Sequence, residues 1–236
     1  MVGFQRARSE EQREVRRRAI LDTAAAMLAQ MPVAEVGLNE LARRVGLAKS
    51  NVLRYFDSRE AVLLELLDDS YRNWLTTLAP ALADTSGELS ARRNRLVRAL
   101  VTTLDRDPVL CDLFSAQAAV LERNISADVA AQFKRNSLTA TAELAAMVAA
   151  IIPEFGRERA LQFCAAGLLS AGALWTHTHP SSAMLAAYEQ HPELAAYRLN
   201  FTQNLTELLT VLVNGILITD AEPSDRETPP ATADPA

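Results

Sequence analysis

Residues 38–56 read Leu38-Asn39-Glu40-Leu41-Ala42-Arg43-Arg44-Val45-Gly46-Leu47-Ala48-Lys49-Ser50-Asn51-Val52-Leu53-Arg54-Tyr55-Phe56. A short helix is expected over 38–45, a tight turn about Gly46, and a second short helix over roughly 49–55. Leu41, Ala42, Val45, Leu47, Val52 and Phe56 supply small and apolar groups for a compact core, with Ala42 small where the helices cross. Lys49, Ser50, Asn51 and Arg54 fall on the polar side of the second helix. An apolar back with short or basic polar groups in front is what a helix needs to lie in a DNA major groove. The same pattern alone also describes an ordinary helical hairpin.

Upstream, Ser9 and Gln12 have the spacing of a capping box and suggest a first helix starting at Ser9. Ile20, Ala24, Met27, Leu28 and Met31 recur at helical spacing and mark a buried face. Ahead of them stand Arg6, Arg8, Arg13, Arg16, Arg17 and Arg18, a basic arm. Downstream, Asp57 and Glu60 repeat the capping-box spacing before a long helix reaching about residue 83. After a loop at 84–87, helices are expected over 88–104, 108–123, 126–152 and 157–178. A broken connection at 180–191 precedes a last helix over 193–219. No period-two strand pattern competes, so the fold class is all-α. Four of the ten prolines crowd into residues 223–236, so 220–236 reads as a disordered tail.

Composition agrees. The chain has 236 residues, 49% hydrophobic and 22% charged, too apolar for a disordered protein. Eight glycines and two unclustered cysteines, Cys111 and Cys164, exclude a collagen or disulfide scaffold and fit a reducing, cytoplasmic setting. The apolar runs at 164–175 and 208–218 fall short of a membrane span, and the charged start carries no signal-peptide pattern. The net charge of −5 argues, taken whole, against a nucleic-acid partner. Divided, it reverses for the first part. Residues 1–60 hold eleven Lys/Arg against eight Asp/Glu, a net of +3, and the rest is −8. That split suggests a DNA-binding domain at 1–60 and a helical effector-binding and dimerisation domain at 61–219.

Several motifs stand in order: Ile20-Leu21-Asp22-Thr23-Ala24, then Glu40-Leu41-Ala42-Arg43-Arg44-Val45-Gly46-Leu47, then Tyr55-Phe56-Asp57-Ser58-Arg59-Glu60-Ala61-Val62-Leu63. Over residues 15–65 the chain resembles the N-terminal domain of the tetracycline-repressor family. The resemblance implies a double-stranded DNA operator as partner, with contacts from Asn39, from Lys49, Ser50, Asn51 and Arg54 on the recognition helix, and from Tyr55 and Arg59 to phosphates. Three positions depart from the family pattern. Gly37 and Ala48 replace helix caps, and Leu53 replaces a phosphate-contacting Tyr.

Beyond residue 70 the resemblance is architectural. It implies a homodimer joined through the last helix, with Leu205, Leu208, Leu209, Leu212 and Ile216 as interface candidates. Phe114, Met147, Cys164, Leu168, Trp175 and His177 are candidate lining for a small-molecule effector pocket. Their apolar character suggests a hydrophobic effector. His177 and His179 lie two apart, wrong for one helix face, so no metal is expected, and nothing calls for a cofactor. No phosphate loop, nucleophile elbow or HExxH helix points to an enzyme. Two readings follow: a ligand-responsive homodimeric regulator, most simply a repressor, or a helical small-molecule-binding or scaffold protein that has lost specific DNA recognition.

Overall fold

The computed structural model describes the backbone of residues 2–218 and the side chains of residues 10–218. Every regular element among them is helical, with no strand. The proposed tail at 220–236 lies outside the described residues, as do the side chains of Arg6, Arg8 and Ser9.

Helix α1 (Val2–Leu28) begins ahead of Ser9, so the expected Ser9–Gln12 cap does not open it. Its inward face carries Ile20, Ala24 and Met27, all fully buried. Helix α2 (Leu38–Val45) ends where expected. Gly46 adopts φ 75°, the Leu47 N–H donates to the Ala42 carbonyl at 2.9 Å and the Gly46 N–H to Arg43 at 3.2 Å. This paired closure needs a left-handed residue, which glycine supplies without a Cβ penalty. Helix α3 is a single turn, Lys49–Val52, shorter than the expected 49–55. The chain tightens after it, with Arg54 N–H bonded to Asn51 O at 3.2 Å and Tyr55 N–H to Val52 O at 2.9 Å.

Helix α4 (Arg59–Leu78) is opened by Ser58, whose Oγ accepts the Ala61 N–H at 3.1 Å. Asp57, the expected cap, instead accepts the Ser126 hydroxyl at 3.1 Å, its carboxylate drawn to a partner 69 residues away. Helix α4 is buried on nearly every side: Val62, Leu63, Leu64, Leu67, Trp74, Leu75 and Leu78 are all inside. A helix apolar around most of its circumference belongs to a core, not a surface.

The body then wraps α4. Helices α5 (Leu89–Asp105) and α6 (Pro108–Ala116) come first, α6 running into one wider π-type turn at Gln117–Leu121. Helices α7 (Ala127–Ile151) and α8 (Gly156–Thr178) follow. The short α9 (Ser182–Gln190) and α10 (Pro192–Ala195) pack on each other and bury no residue. Helix α11 (Phe201–Ile218) closes the body against α5 and α8. The last helix therefore starts at Phe201 and not at 193. Asn200 caps it, its Oδ1 accepting the Gln203 N–H at 2.9 Å. By length and composition alone α11 is long and apolar enough to cross a membrane. One stripe of it, Phe201, Leu205, Leu209 and Val213, is buried in this chain's own core.

Helix α8 is the centre of the body, packed on α6, α7 and α11. Gly172 lets α6 approach: a Cβ there would meet the Phe114 backbone carbon and oxygen at 3.2 Å. Those atoms belong to a helix backbone and yield only if α6 moves. Gly172→Ala should therefore destabilise the protein by ~1 kcal/mol or more, although an unobstructed helical Gly→Ala change would stabilise by about as much. Urea unfolding checks this, and a variant at least as stable as the parent would mean that α6 retreats freely.

Candidate nucleic-acid interface and effector cavity

Helices α1, α2 and α3 form a small head. Leu41, Ala42, Val52 and Phe56 are buried, so the back of the helix-turn-helix is a packed core as the sequence suggests. On the outer side Asn39, Lys49, Ser50, Asn51 and Arg54 are all exposed. Lys49 and Arg54 make no ion pair with a described residue. Tyr55 is half-buried beside them. Between α1 and the 54–55 turn runs an open groove lined by Arg13, Arg16 and Arg54, with Glu11 and Tyr55 beside them. Its two arginines from α1 extend the basic face, and only the fold shows that the basic arm and the recognition helix share one edge. No side-chain cap supports the α2 or α3 N-termini, at Gly37 and Ala48, and Leu53 stands partly exposed.

Arg59 departs from the expectation. Its guanidinium turns inward, bonded to the Val33 carbonyl and, at 3.2 Å, to Glu60, while Nε is buried without a partner. Its charge thus pins the turn between α1 and α2 and is not presented to a phosphate. Other head arginines are also engaged. Arg43 and Arg44 hold Glu40, whose carboxyl their hydrogen bonds lower to about 2. Arg17 spans from α1 to α4: Nε donates to Glu65 at 2.9 Å, a second nitrogen to the other Glu65 oxygen, and Nη1 to the Tyr55 carbonyl at 2.8 Å. Its guanidinium lies 4.3 Å from the Phe56 ring centroid. On the far side of the head, the Val33 N–H donates to Asp112 of α6 at 2.7 Å.

The expected effector lining is not brought together. Cys164 and Leu168 do line a crevice with Trp74, Leu104 and Phe163, but its space is about 10 Å³, room for roughly one water. Phe114 stands edge-on to Tyr71, with centroids 5.4 Å apart, and packs in the core. Met147 is half-buried, and His177 is exposed on the outer side of α8. Trp175 stacks on His179 at 3.7 Å and meets Phe201 edge-on at 5.1 Å. Burial pushes the Cys164 thiol up to about 12 and the Cys111 thiol higher still, so neither is a reactive thiolate at neutral pH. Among the described residues no group of three or more His, Cys, Asp or Glu could hold a metal.

The interface candidates divide. Leu205 and Leu209 are buried inside the protomer against α5 and α8 and cannot face a partner, because they fill its own core. Leu208 is exposed, and Leu212 and Ile216 are half-buried. Val211 and Ile218 on α11, and Leu169 on α8, are 68%, 69% and 76% exposed.

This arrangement is that of a helix-turn-helix head mounted on a helical body. Residues 68–220 match the family model "Tetracyclin repressor-like, C-terminal domain", and residues 20–66 match "Bacterial regulatory proteins, tetR family". The chain belongs to the TetR family. It is 41% identical over 73 residues to the HTH-type transcriptional regulator EthR of Mycobacterium tuberculosis, a match covering 30% of this chain and 34% of EthR. The chain thus aligns with about a third of that relative's length. In fold it is similar to a possible TetR family transcriptional regulator from Streptomyces coelicolor A3(2), with TM-score 0.54, 19% identity and coverage of 86% of this chain and 99% of that one. It is also similar in fold to the fatty acid degradation regulator FadR from Bacillus halodurans, with TM-score 0.52, 13% identity and coverage of 84% and 97%.

Since Arg17 ties the head to α4, Arg17→Ala should loosen the head locally. Amide exchange at 55–57 should quicken severalfold, while amides of α8 keep their protection. Equal changes in both regions would show that the tie supports global stability instead.

Proposed function

We propose that the chain is a homodimeric transcriptional regulator that represses from a near-palindromic DNA operator and is released by a small effector. The observation that carries this is the α3 face, where Lys49, Ser50, Asn51 and Arg54 stand in solvent over the buried Val52 and Phe56. Asn51 suits adenine edges, Lys49 guanine edges or phosphate, and the Arg13–Arg16–Arg54 groove suits the phosphate backbone. Tyr55 can add a phosphate contact from the groove's end. In this reading Arg59 acts from within, holding the turn that orients α2.

One single-turn recognition helix makes few contacts. Two heads spaced by a helical turn, roughly 34 Å, or a multiple of it supply the rest. The exposed faces of α8 and α11, with Leu169, Leu208, Val211 and Ile218, are the surfaces that fit a second copy. Leu212 and Ile216 would complete their burial there. A hydrophobic effector would enter by opening the closed crevice beside Cys164 and Leu168, favouring a body conformation with a different head separation. Such a regulator works in the cytoplasm. A second reading, a helical binding or scaffold protein without specific DNA recognition, draws on the uncapped α2 and α3 and on the inward Arg59.

Footprinting on the DNA adjoining the chain's own coding sequence distinguishes the two. Lys49→Ala and Asn51→Ala should each weaken specific binding by about tenfold or more with unchanged melting temperature. Absence of any protected, salt-sensitive site at low ionic strength would favour the scaffold reading. Separately, Leu208→Glu combined with Val211→Glu should convert a dimer to monomers in sedimentation experiments. A dimer unaffected by both changes would place the interface elsewhere.

A further inference from the structure

The closed crevice of the body is walled by Trp74 of α4, Leu100 of α5, Leu144 of α7, Phe163 and Gly167 of α8, and Leu209 of α11. With about 10 Å³ of space, it admits nothing larger than a water unless one wall yields. How each helix is held decides which wall that is.

Helix α4 is sunk in the core on nearly every side. Helix α7 packs on α4, α5 and α8 and is tied by three hydrogen bonds, Ser126 to Asp57, Asn136 to Asp68 and Tyr71 to Thr141. Helix α5 packs on α4, α6, α7 and α11. Helix α8 is held between α6, α7 and α11, with Gly172 close against the α6 backbone. Helix α11 is held on one side. It packs mainly on α5, α8 and the turn at Pro153–Phe155, through one buried stripe of Phe201, Leu205, Leu209 and Val213. Its side-chain tie to α5 runs from Arg93 to Asn214. An element with packing on one side opens at lower cost than one packed all round.

The contact between Gly167 and Leu209 shows what opening would do. A Cβ on Gly167 would stand 3.1 Å from Leu209 Cδ2, nearer than the ~3.5–4.0 Å at which two carbons rest. The obstacle is a side chain of α11, whereas at Gly172 it is helix backbone. Leu209 is 2% exposed and the crevice beside it is closed, so it has little room to turn aside. A group added at this point therefore pushes α11. The same turn of α11 carries Leu208, Val211 and Leu212, and Leu208 and Val211 stand exposed on its outer side.

We infer that α11 is the wall that yields, and that filling the crevice weakens the contact between two copies of the chain. Crevice occupancy and self-association are then linked equilibria, each opposing the other by the same factor. This rests on the reading of the chain as an effector-released dimer and names the route of release. A displaced α11 alters the surface on which the second copy sits, and with it the spacing of the two heads.

The test uses side-chain carbons as the filling, in the full chain, with the dimer dissociation constant read by sedimentation equilibrium. Gly167→Val should raise that constant by about tenfold or more with helical content unchanged. Adding Leu209→Ala, which removes as many carbons as the valine adds, should return it to near the parent value. Two merely destabilising changes would instead add. Should Gly167→Val fail to fold, Gly167→Ala should weaken the dimer severalfold, reversed by Leu209→Val. A parent-like constant for the folded Gly167 variant, or a pair no better than that variant alone, would overturn the inference. Leu208→Glu with Val211→Glu reads the interface itself. If those charges separate the dimer while the Gly167 variant leaves it intact, the route falls and the dimer stands; if they do not, both fall.

Discussion

Everything in this protein is arranged about the burial of α4. The helix is shared by two cores: near Ala61 and Val62 it completes the head, and from Leu66 to Leu78 it forms the axis of the body. Each fully buried Leu or Trp along it contributes about 1.5–3 kcal/mol relative to exposure, so detaching either end is costly. Neither glycine nor proline interrupts its twenty residues. It has no built-in hinge. The head is seated on it by shared apolar packing and by a few polar ties: Arg17 to Glu65, Arg18 to Asp69 at 3.0 Å, Val33 to Asp112, and Asp57 to Ser126. Partly exposed ties of this kind are individually worth about 1 kcal/mol or less.

The head was legible because its signals are local. Gly46 marks a turn that needs a left-handed residue. The apolar positions 41, 42, 52 and 56 are buried as their spacing implies. The boundaries were less legible because caps compete. Asp57 and Ser58 both suit an N-cap, and Asp57 carries the better spacing to Glu60. The choice falls to Ser58 because Ser126, far away in sequence, engages Asp57. No local pattern contains that partner. The same holds for the start of α11: 193–195 are helical, but in a separate turn, and Asn200 begins the long helix anew.

The site was half legible for a related reason. Periodicity shows that α11 is apolar but not which stripe faces inward, because leucines lie on more than one side. Only packing assigns Leu205 and Leu209 to the core and Leu208 and Val211 to the outside. Arg59 has the right position and charge for a phosphate, yet a long side chain on a helix start can turn either way. Here the Val33 carbonyl draws it in. Apolar residues of the middle helices close on one another when nothing separates them, so their spacing does not mark a cavity.

The charge split acquires a more specific meaning. The head's positive balance is not spread over its surface. Arg17, Arg18, Arg43, Arg44 and Arg59 are committed to carboxylates or carbonyls. Arg13, Arg16 and Arg54 line one groove, and Lys49 stands exposed on α3. Paired charges contribute little to the field at a distance, whereas unpaired ones attract phosphate and release counterions. The body, residues 61–218, is net negative by four charges. In the proposed regulator, DNA would be attracted to that edge and repelled from the remainder, so docking in a wrong orientation would be disfavoured before any base is read. With only a few free cations on one head, the proposed second copy would supply the rest of a tight, specific complex.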